Sequence, residues 1–246
     1  MLTAPAQASG GWLALAETGE VLGIIPARGG SKGLPRKNVL PLAGKPLVVW
    51  TIEAALAAET VGRVVVSTDD EEIEAVAREA GAEVVRRPAE LATDTAPTEP
   101  AVFHALEQLE CTEGYRPDAV ALLQCTSPLR GADIIDAGVR KLFETGCDAV
   151  MTVTPIQHWY LSGYLRSGDV FVPEYDYASR PRHQDMPQKY RENGALYVTR
   201  REALYRYRNR LGGDVRVVIM DALRSLDIDT VEDFALAEEV LRGLGQ

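Results

Sequence analysis

Cysteine is scarce in this 246-residue chain: Cys111, Cys125 and Cys147 are the whole complement, with no CxxC pair and no histidine at metal-ligand spacing. An odd count of that kind excludes a disulfide framework and suits reduced thiols in a cytoplasm. Long apolar runs are also missing, since none approaches the roughly 20 residues that a membrane helix needs. Met1 to Glu20 carries no lysine or arginine, and its apolar run Trp12 to Ala16 is too short for a signal peptide. That stretch reads as a disordered extension. Positive charge is in deficit, with 26 basic against 36 acidic residues and a net charge of -10, so a general nucleic-acid binder is excluded for want of a basic face. Acidic residues, in turn, are absent between Glu20 and Glu53, where Arg28, Lys32, Arg36, Lys37 and Lys45 all stand.

That acid-free window surrounds the run Ala27-Arg28-Gly29-Gly30-Ser31-Lys32-Gly33, which offers backbone N–H groups beside basic side chains, the requirements of a phosphate-binding loop. The GxxxxGK[ST] pattern is not met, and neither is GxGxxG with a ribose-binding acid about 20 residues on. A P-loop and a dinucleotide site are therefore both disfavoured. A solvated basic turn would account for two cations, but not for five without a single carboxylate among them. The expected guest is a triphosphate.

Val21 to Pro26 is a continuous apolar run that feeds this loop, as a strand buried on both faces does. Helix and strand patterns then alternate. Pro46 to Ala58 is helical, Arg63 to Ser67 a strand, and a helix capped by Thr68 or Asp69 runs to Ala80, where Gly81 stops it. Glu83 to Val85 is a strand, Arg86 to Thr98 a loop, and Glu99 to Leu109 a helix. Ala119 to Leu123, the loop Gln124 to Arg130, the helix Ala132 to Glu144 and the strand Ala149 to Val153 complete the regular part. Residues 155–190 hold four prolines and no period, so they form an insertion or arm. Strands at Ala195 to Val198 and Val215 to Met220 and a helix from Val231 to Leu241 close the chain. The pattern predicts an α/β fold: a mostly parallel open sheet with helices on both faces, the first strand central, and ligand loops at the carboxyl ends. Residues 21–246 form one domain in this reading.

Asp227 and Asp229 alternate on an extended segment, so their carboxylates project to one side and ask for a cation, Mg²⁺ being the hard divalent choice. One of them could instead cap the helix that begins after Thr230. A second basic cluster, Arg180, Arg182, His183, Lys189 and Arg191, suits a substrate carboxylate.

The stretch Ile25-Pro26-Ala27-Arg28-Gly29-Gly30-Ser31-Lys32-Gly33-Leu34-Pro35-Arg36-Lys37-Asn38 resembles the signature of the acylneuraminate cytidylyltransferases, which activate sialic and related nonulosonic acids as CMP-sugars. Arg87 to Thr95, Leu122 to Arg130, Arg191 to Ala195 and Asp227 to Thr230 resemble four further blocks of that family, in the same order. The resemblance implies a nucleotide-diphospho-sugar transferase-like, Rossmann-like fold. It places CTP against Ala27, Arg28, Gly29, Ser31, Lys32, Lys37 and Asn38, with Arg87 and Thr98 at the cytidine. Arg28, Lys32 and Asp227 would serve catalysis, Asp227 and Asp229 would hold Mg²⁺, and Gln124, Arg182, His183, Arg191 and Asn193 would bind the sugar acid. The arm would pack against a second subunit as a homodimer, with Trp159, Tyr160 and Tyr164 either at that interface or as core aromatics beneath the arm, while composition points to a cytoplasmic enzyme with neither membrane nor nucleic-acid partner. Two departures stand out: Cys125 occupies a position where proline is common, and His183 one where arginine is usual. Competing expectations are a CMP-Kdo synthetase, whose loop more typically carries a Ser-Thr-Arg element, and a non-catalytic CTP-binding module.

Overall fold

The computed structural model describes residues 19–31, 33–156, 162–180, 182–185 (His183 by its backbone) and 187–245. Lys32, Trp159, Tyr160 and the His183 side chain lie outside the described residues, as do residues 1–18 of the proposed extension.

In chain order the elements are β1 (Val21–Pro26), β2 (Pro41–Leu42), β3 (Lys45–Pro46), α1 (Leu47–Leu56), β4 (Arg63–Thr68), α2 (Glu71–Glu79), β5 (Glu83–Arg86), α3 (Thr98–Glu113), β6 (Ala119–Leu123), α4 (Ala132–Thr145), β7 (Ala149–Ile156), β8 (Gly163–Leu165), β9 (Phe171–Pro173), β10 (Lys189–Arg200), α5 (Arg201–Tyr207), β11 (Val215–Ile219) and α6 (Val231–Gly243). Seven strands form one sheet in the order β11-β7-β10-β6-β1-β4-β5. Every pairing is parallel except those of β10, which runs antiparallel to both β6 and β7.

The apolar run of β1 is continuous because both faces are covered. Val21 and Ile25 pack into a core with α1, α2 and α4, whereas Leu22 and Ile24 pack into a second core with α3 and α5. This two-sided burial is the reason the strand shows no polar alternation. β1 is interior with parallel neighbours on each side, β4 and β6, although the middle place in the sheet belongs to β6 rather than to β1 as expected.

A third apolar cluster joins Leu34, Leu42, Leu47, Trp50, Ile228 and Leu241, with the Trp50 Nε1–H donating to the Leu42 carbonyl at 3.0 Å. It matters for position. Leu34 ends the loop after β1 and Ile228 lies between Asp227 and Asp229, so packing fixes the Gly-rich loop and the acidic pair to one body.

Two local expectations differ from the fold. The cap of α2 is Asp70, whose carboxylate accepts from the Glu72 and Ile73 amides, while Thr68 and Asp69 precede the cap. β10 begins at Lys189, six residues before the expected start, because Lys189–Glu192 is exposed and polar and leaves no burial period to read. Its register against β7 slips between Glu192 and Tyr197, a bulge that includes Gly194 at φ +71°. The hairpin β2–β3 and the short helix α5 escaped the sequence pattern altogether. No helix among the described residues is long and apolar enough to cross a membrane.

Candidate functional site

The chain leaves β1 toward β4 on one side and returns through β6 on the other, so the loops after β1 and β6 diverge and open a crevice at the carboxyl ends of the strands. A cleft of about 280 Å³ lies there, and Arg28, Ser31, Lys37, Arg87, Thr98 and Gln124 are among its lining residues.

The loop after β1 is held from several sides. The Ala27 amide donates to the Ser67 carbonyl at 2.9 Å, the Gly29 amide to Asp69 Oδ1 at 3.1 Å, and Asn38 Nδ2 to the Arg28 carbonyl at 3.0 Å. At Gly33 a Cβ would stand 2.4 Å from the Asp229 carbonyl oxygen, so only glycine allows the loop to approach the acidic pair this closely. Lys37 completes the link, its Nζ donating to the Ile228 carbonyl at 2.6 Å and to Asp229 Oδ1 at 3.2 Å.

Tertiary structure revises the picture of free positive charge in this window. Among the described residues, each of its cations has a carboxylate partner: Arg28 pairs with Asp94 at 2.9 Å, Arg36 with Asp70 and Glu72, Lys37 with Asp229, and Lys45 with Glu53. Of the window's described cations, Arg28 and Lys37 reach the cleft. Arg36 braces the loop against the start of α2, and Lys45 lies 3.7 Å over the Trp50 ring in a separate groove.

Arg87 is different. It is buried, its Nε has no partner, and its closest ion-pair contact, Asp69, is 4.0 Å away. Burial pushes its pKa below the ordinary arginine value. A buried guanidinium with an unused donor at the wall of a cleft is one that an anion would stabilise strongly.

At the other wall, Gln124 follows β6. A Cβ at Gly194 would sit 3.1 Å from Gln124 Oε1, so the bulge glycine gives that amide its room. Arg130 ties these two parts together, Nη1 donating to the Gln124 carbonyl at 3.3 Å and to the Ala195 carbonyl at 2.6 Å. Fully buried, it has its pKa lowered to about 10 by desolvation. Sequence reasoning used Arg130 only as the end of a loop, and nothing in its neighbours signals a buried cation. Cys125 is likewise buried beside the cleft, with burial as the main cause of a thiol pKa pushed up to about 12.

Asp229 is paired with Lys37, and Asp227 accepts from Thr126. The cap of α6 is Thr230, in a capping box with Asp233, so neither acid is used there. Burial first, and then the charge of Asp229, raise the Asp227 carboxyl above the usual range, while the Thr126 hydroxyl and Lys37 oppose the shift. Among the described residues no group of three or more histidine, cysteine, aspartate or glutamate side chains converges. Asp227 and Asp229 themselves are two oxygen-bearing side chains separated by one residue, a donor set that fits Mg²⁺, an ion that keeps several waters and takes phosphate oxygens beside one or two carboxylates.

The residues expected at the sugar acid are not gathered in the same way. Arg182 is 74% exposed and engaged with Asp185, and Arg191 is exposed opposite Thr154 on the early part of β10. Asn193 is buried, its Nδ2 donating to Ser225 Oγ at 2.8 Å and to Met220 Sδ at 3.3 Å, while its Oδ1 accepts from the Ala195 amide. None of the three lines the 280 Å³ cleft.

Comparison with known proteins bears on the family and the fold. Residues 22–244 match the family described as "Cytidylyltransferase". An N-acylneuraminate cytidylyltransferase of Escherichia coli is 37% identical over 222 residues, covering 89% of this chain and 51% of that protein. A CMP-N,N'-diacetyllegionaminic acid synthase of Legionella pneumophila is 34% identical over 227 residues, covering 90% of this chain and 96% of the relative. The chain thus spans about half the length of the Escherichia coli protein and almost all of the Legionella one. Among solved structures, a CMP:2-keto-3-deoxy-manno-octonic acid synthetase complexed with CTP superposes with a TM-score of 0.70 at 19% identity, covering 92% of this chain and 99% of that one, a likeness of fold.

Proposed function

The chain belongs to the cytidylyltransferase family, and on that premise we propose that it transfers CMP from CTP to a nonulosonic acid, releasing pyrophosphate. The observation that carries the reading is the placing of Arg28 and the half-satisfied Arg87 on one crevice, whose Lys37 also reaches out to Asp229 beside it. The names of the relatives supply the acceptor class.

In this reading the anomeric hydroxyl oxygen attacks the α-phosphorus of CTP, the bond to the β-phosphate oxygen breaks, and the hydroxyl proton passes to solvent. Arg28, with Lys32 on the same loop, binds the polyphosphate, and Ala27, Gly29 and Ser31 bring their backbone close to it. Lys37 and Asn38 set the geometry of the loop, and Arg87 and Thr98 take the cytidine side. Gln124 faces the acceptor, with Arg191, Arg182 and His183 drawn from the arm side. Asn193 acts by holding β10 to the segment before Asp227. Asp227 and Asp229 would hold Mg²⁺, which supplies charge neutralisation on the leaving pyrophosphate. Catalysis is then positioning and preorganised charge, with no covalent enzyme intermediate. The insertion at about 155–190 serves a homodimer, a role supported by the exposed Tyr164, Leu165, Phe171 and Tyr177. We place residues 21–246 in one domain and the enzyme in the cytoplasm.

The test is a panel of N-acetylneuraminate, legionaminate, pseudaminate and Kdo, each mixed with CTP and Mg²⁺ while pyrophosphate and CMP-sugar are measured. Release with a nonulosonic acid, stopped by EDTA and restored by Mg²⁺, is expected. CTP binding without turnover on any acid would leave only a binding module, and full activity in EDTA would remove the role of the acidic pair.

A further inference from the structure

The Arg28–Asp94 ion pair joins two loops that line the cleft. Arg28 stands on the loop after β1 and Asp94 on the loop between β5 and α3, and Arg28 Nη1 donates to Asp94 Oδ1 at 2.9 Å. Both residues line the crevice, and their side chains are 30% and 43% exposed. Asp69, another carboxylate beside the loop, touches it differently. It accepts from the Gly29 backbone amide and lies 4.0 Å from the buried Arg87, so it belongs to the wall. Asp94 sits at the rim, on the guanidinium that a polyphosphate would use.

The Arg28 donor held by Asp94 is withheld from a phosphate, and a carboxylate left beside a polyphosphate repels it. We propose that Asp94 is a gate on the polyphosphate seat: it holds the Arg28 guanidinium at the crevice, and an incoming nucleotide must displace it. The proposal rests on the nucleotide-binding reading above. It assigns the loop between β5 and α3 a second state, released from Arg28 when the cleft fills. Replacing the Asp94 carboxylate by an amide frees Arg28 and removes the repulsion, and both effects act in the same direction.

The test is calorimetric binding of CTP and of inorganic tripolyphosphate to the wild-type protein, Asp94→Asn, Arg28→Ala and the double variant, with melting curves to confirm that each folds. Asp94→Asn is expected to bind both probes about 5-fold more tightly, the order that a partly exposed ion pair permits. The gain should shrink in high salt, which screens exposed charges, and should be lost in the Arg28→Ala background, because the two residues are coupled. Unchanged or weaker binding by Asp94→Asn, or an equal gain without Arg28, overturns the gate. Those results leave nucleotide binding itself intact, whereas a wild-type protein that binds neither probe removes both the gate and the reading beneath it.

Discussion

The chemistry of single residues here is set by what the fold places beside them. Arg28 and Lys45 belong to the same acid-free window, yet one lines the crevice and the other lies on Trp50 in another groove. Arg28→Ala is therefore expected to lower CMP-sugar formation by about 10²- to 10³-fold, the usual loss when one preorganised donor to developing charge is removed. Its loop position predicts an unchanged melting temperature. Turnover near the wild-type rate in a steady-state assay would sink the phosphate assignment. Arg87 makes the complementary case, since the sequence shows an ordinary arginine before a proline and only its burial reveals a cation awaiting a partner.

At the scale of elements, the start of α2 connects stability to the site. Asp70 caps that helix and also receives Arg36, the non-glycine residue at φ 58° that turns the loop after β1. The Arg36 hydrogen bonds hold the Asp70 carboxyl down from 3.8 to about 2, against the cost of burial. A depressed carboxylate stabilises the fold above its unfolded pKa, and the contribution is lost as pH falls from about 4 through about 2. Asp70→Asn keeps a capping oxygen and removes the charge. Because Arg36 is 40% exposed, screening limits the expected loss to about 1 kcal/mol at pH 7. In urea melts the difference from wild type should narrow between pH 4 and pH 3; a constant difference would show that the charge is not the cause.

For the molecule as a whole, the arm is the surface we propose for docking a second copy. The hairpin of β8 and β9 is antiparallel, and Tyr164, Leu165 and Phe171 on it are each more than half exposed. Such surface is more apolar than a solvated hairpin needs. Substituting Leu165→Asp together with Phe171→Asp is expected to convert a dimer to a monomer in size-exclusion chromatography with light scattering, and to reduce turnover if the arm completes the neighbour's site. A wild-type protein that elutes as a monomer would dispose of the dimer.

The sequence by itself determined the strand-and-helix alternation, the loop that follows the first strand and the acidic pair near the end, because each leaves a local mark. Continuous apolar runs, glycine and proline at turns, and two acids one residue apart are readable without knowing what lies across the fold. Only the tertiary structure decided how the charges are used. It brought Asp94, Asp70, Glu72 and Asp229 to cations that have no acidic neighbour in sequence, and it buried Arg87 and Arg130. It turned β10 antiparallel, with a bulge that turns Asn193 into the core. These are contacts between residues tens to nearly two hundred positions apart, and burial and pairing at that range are properties of the packed chain that no local pattern encodes.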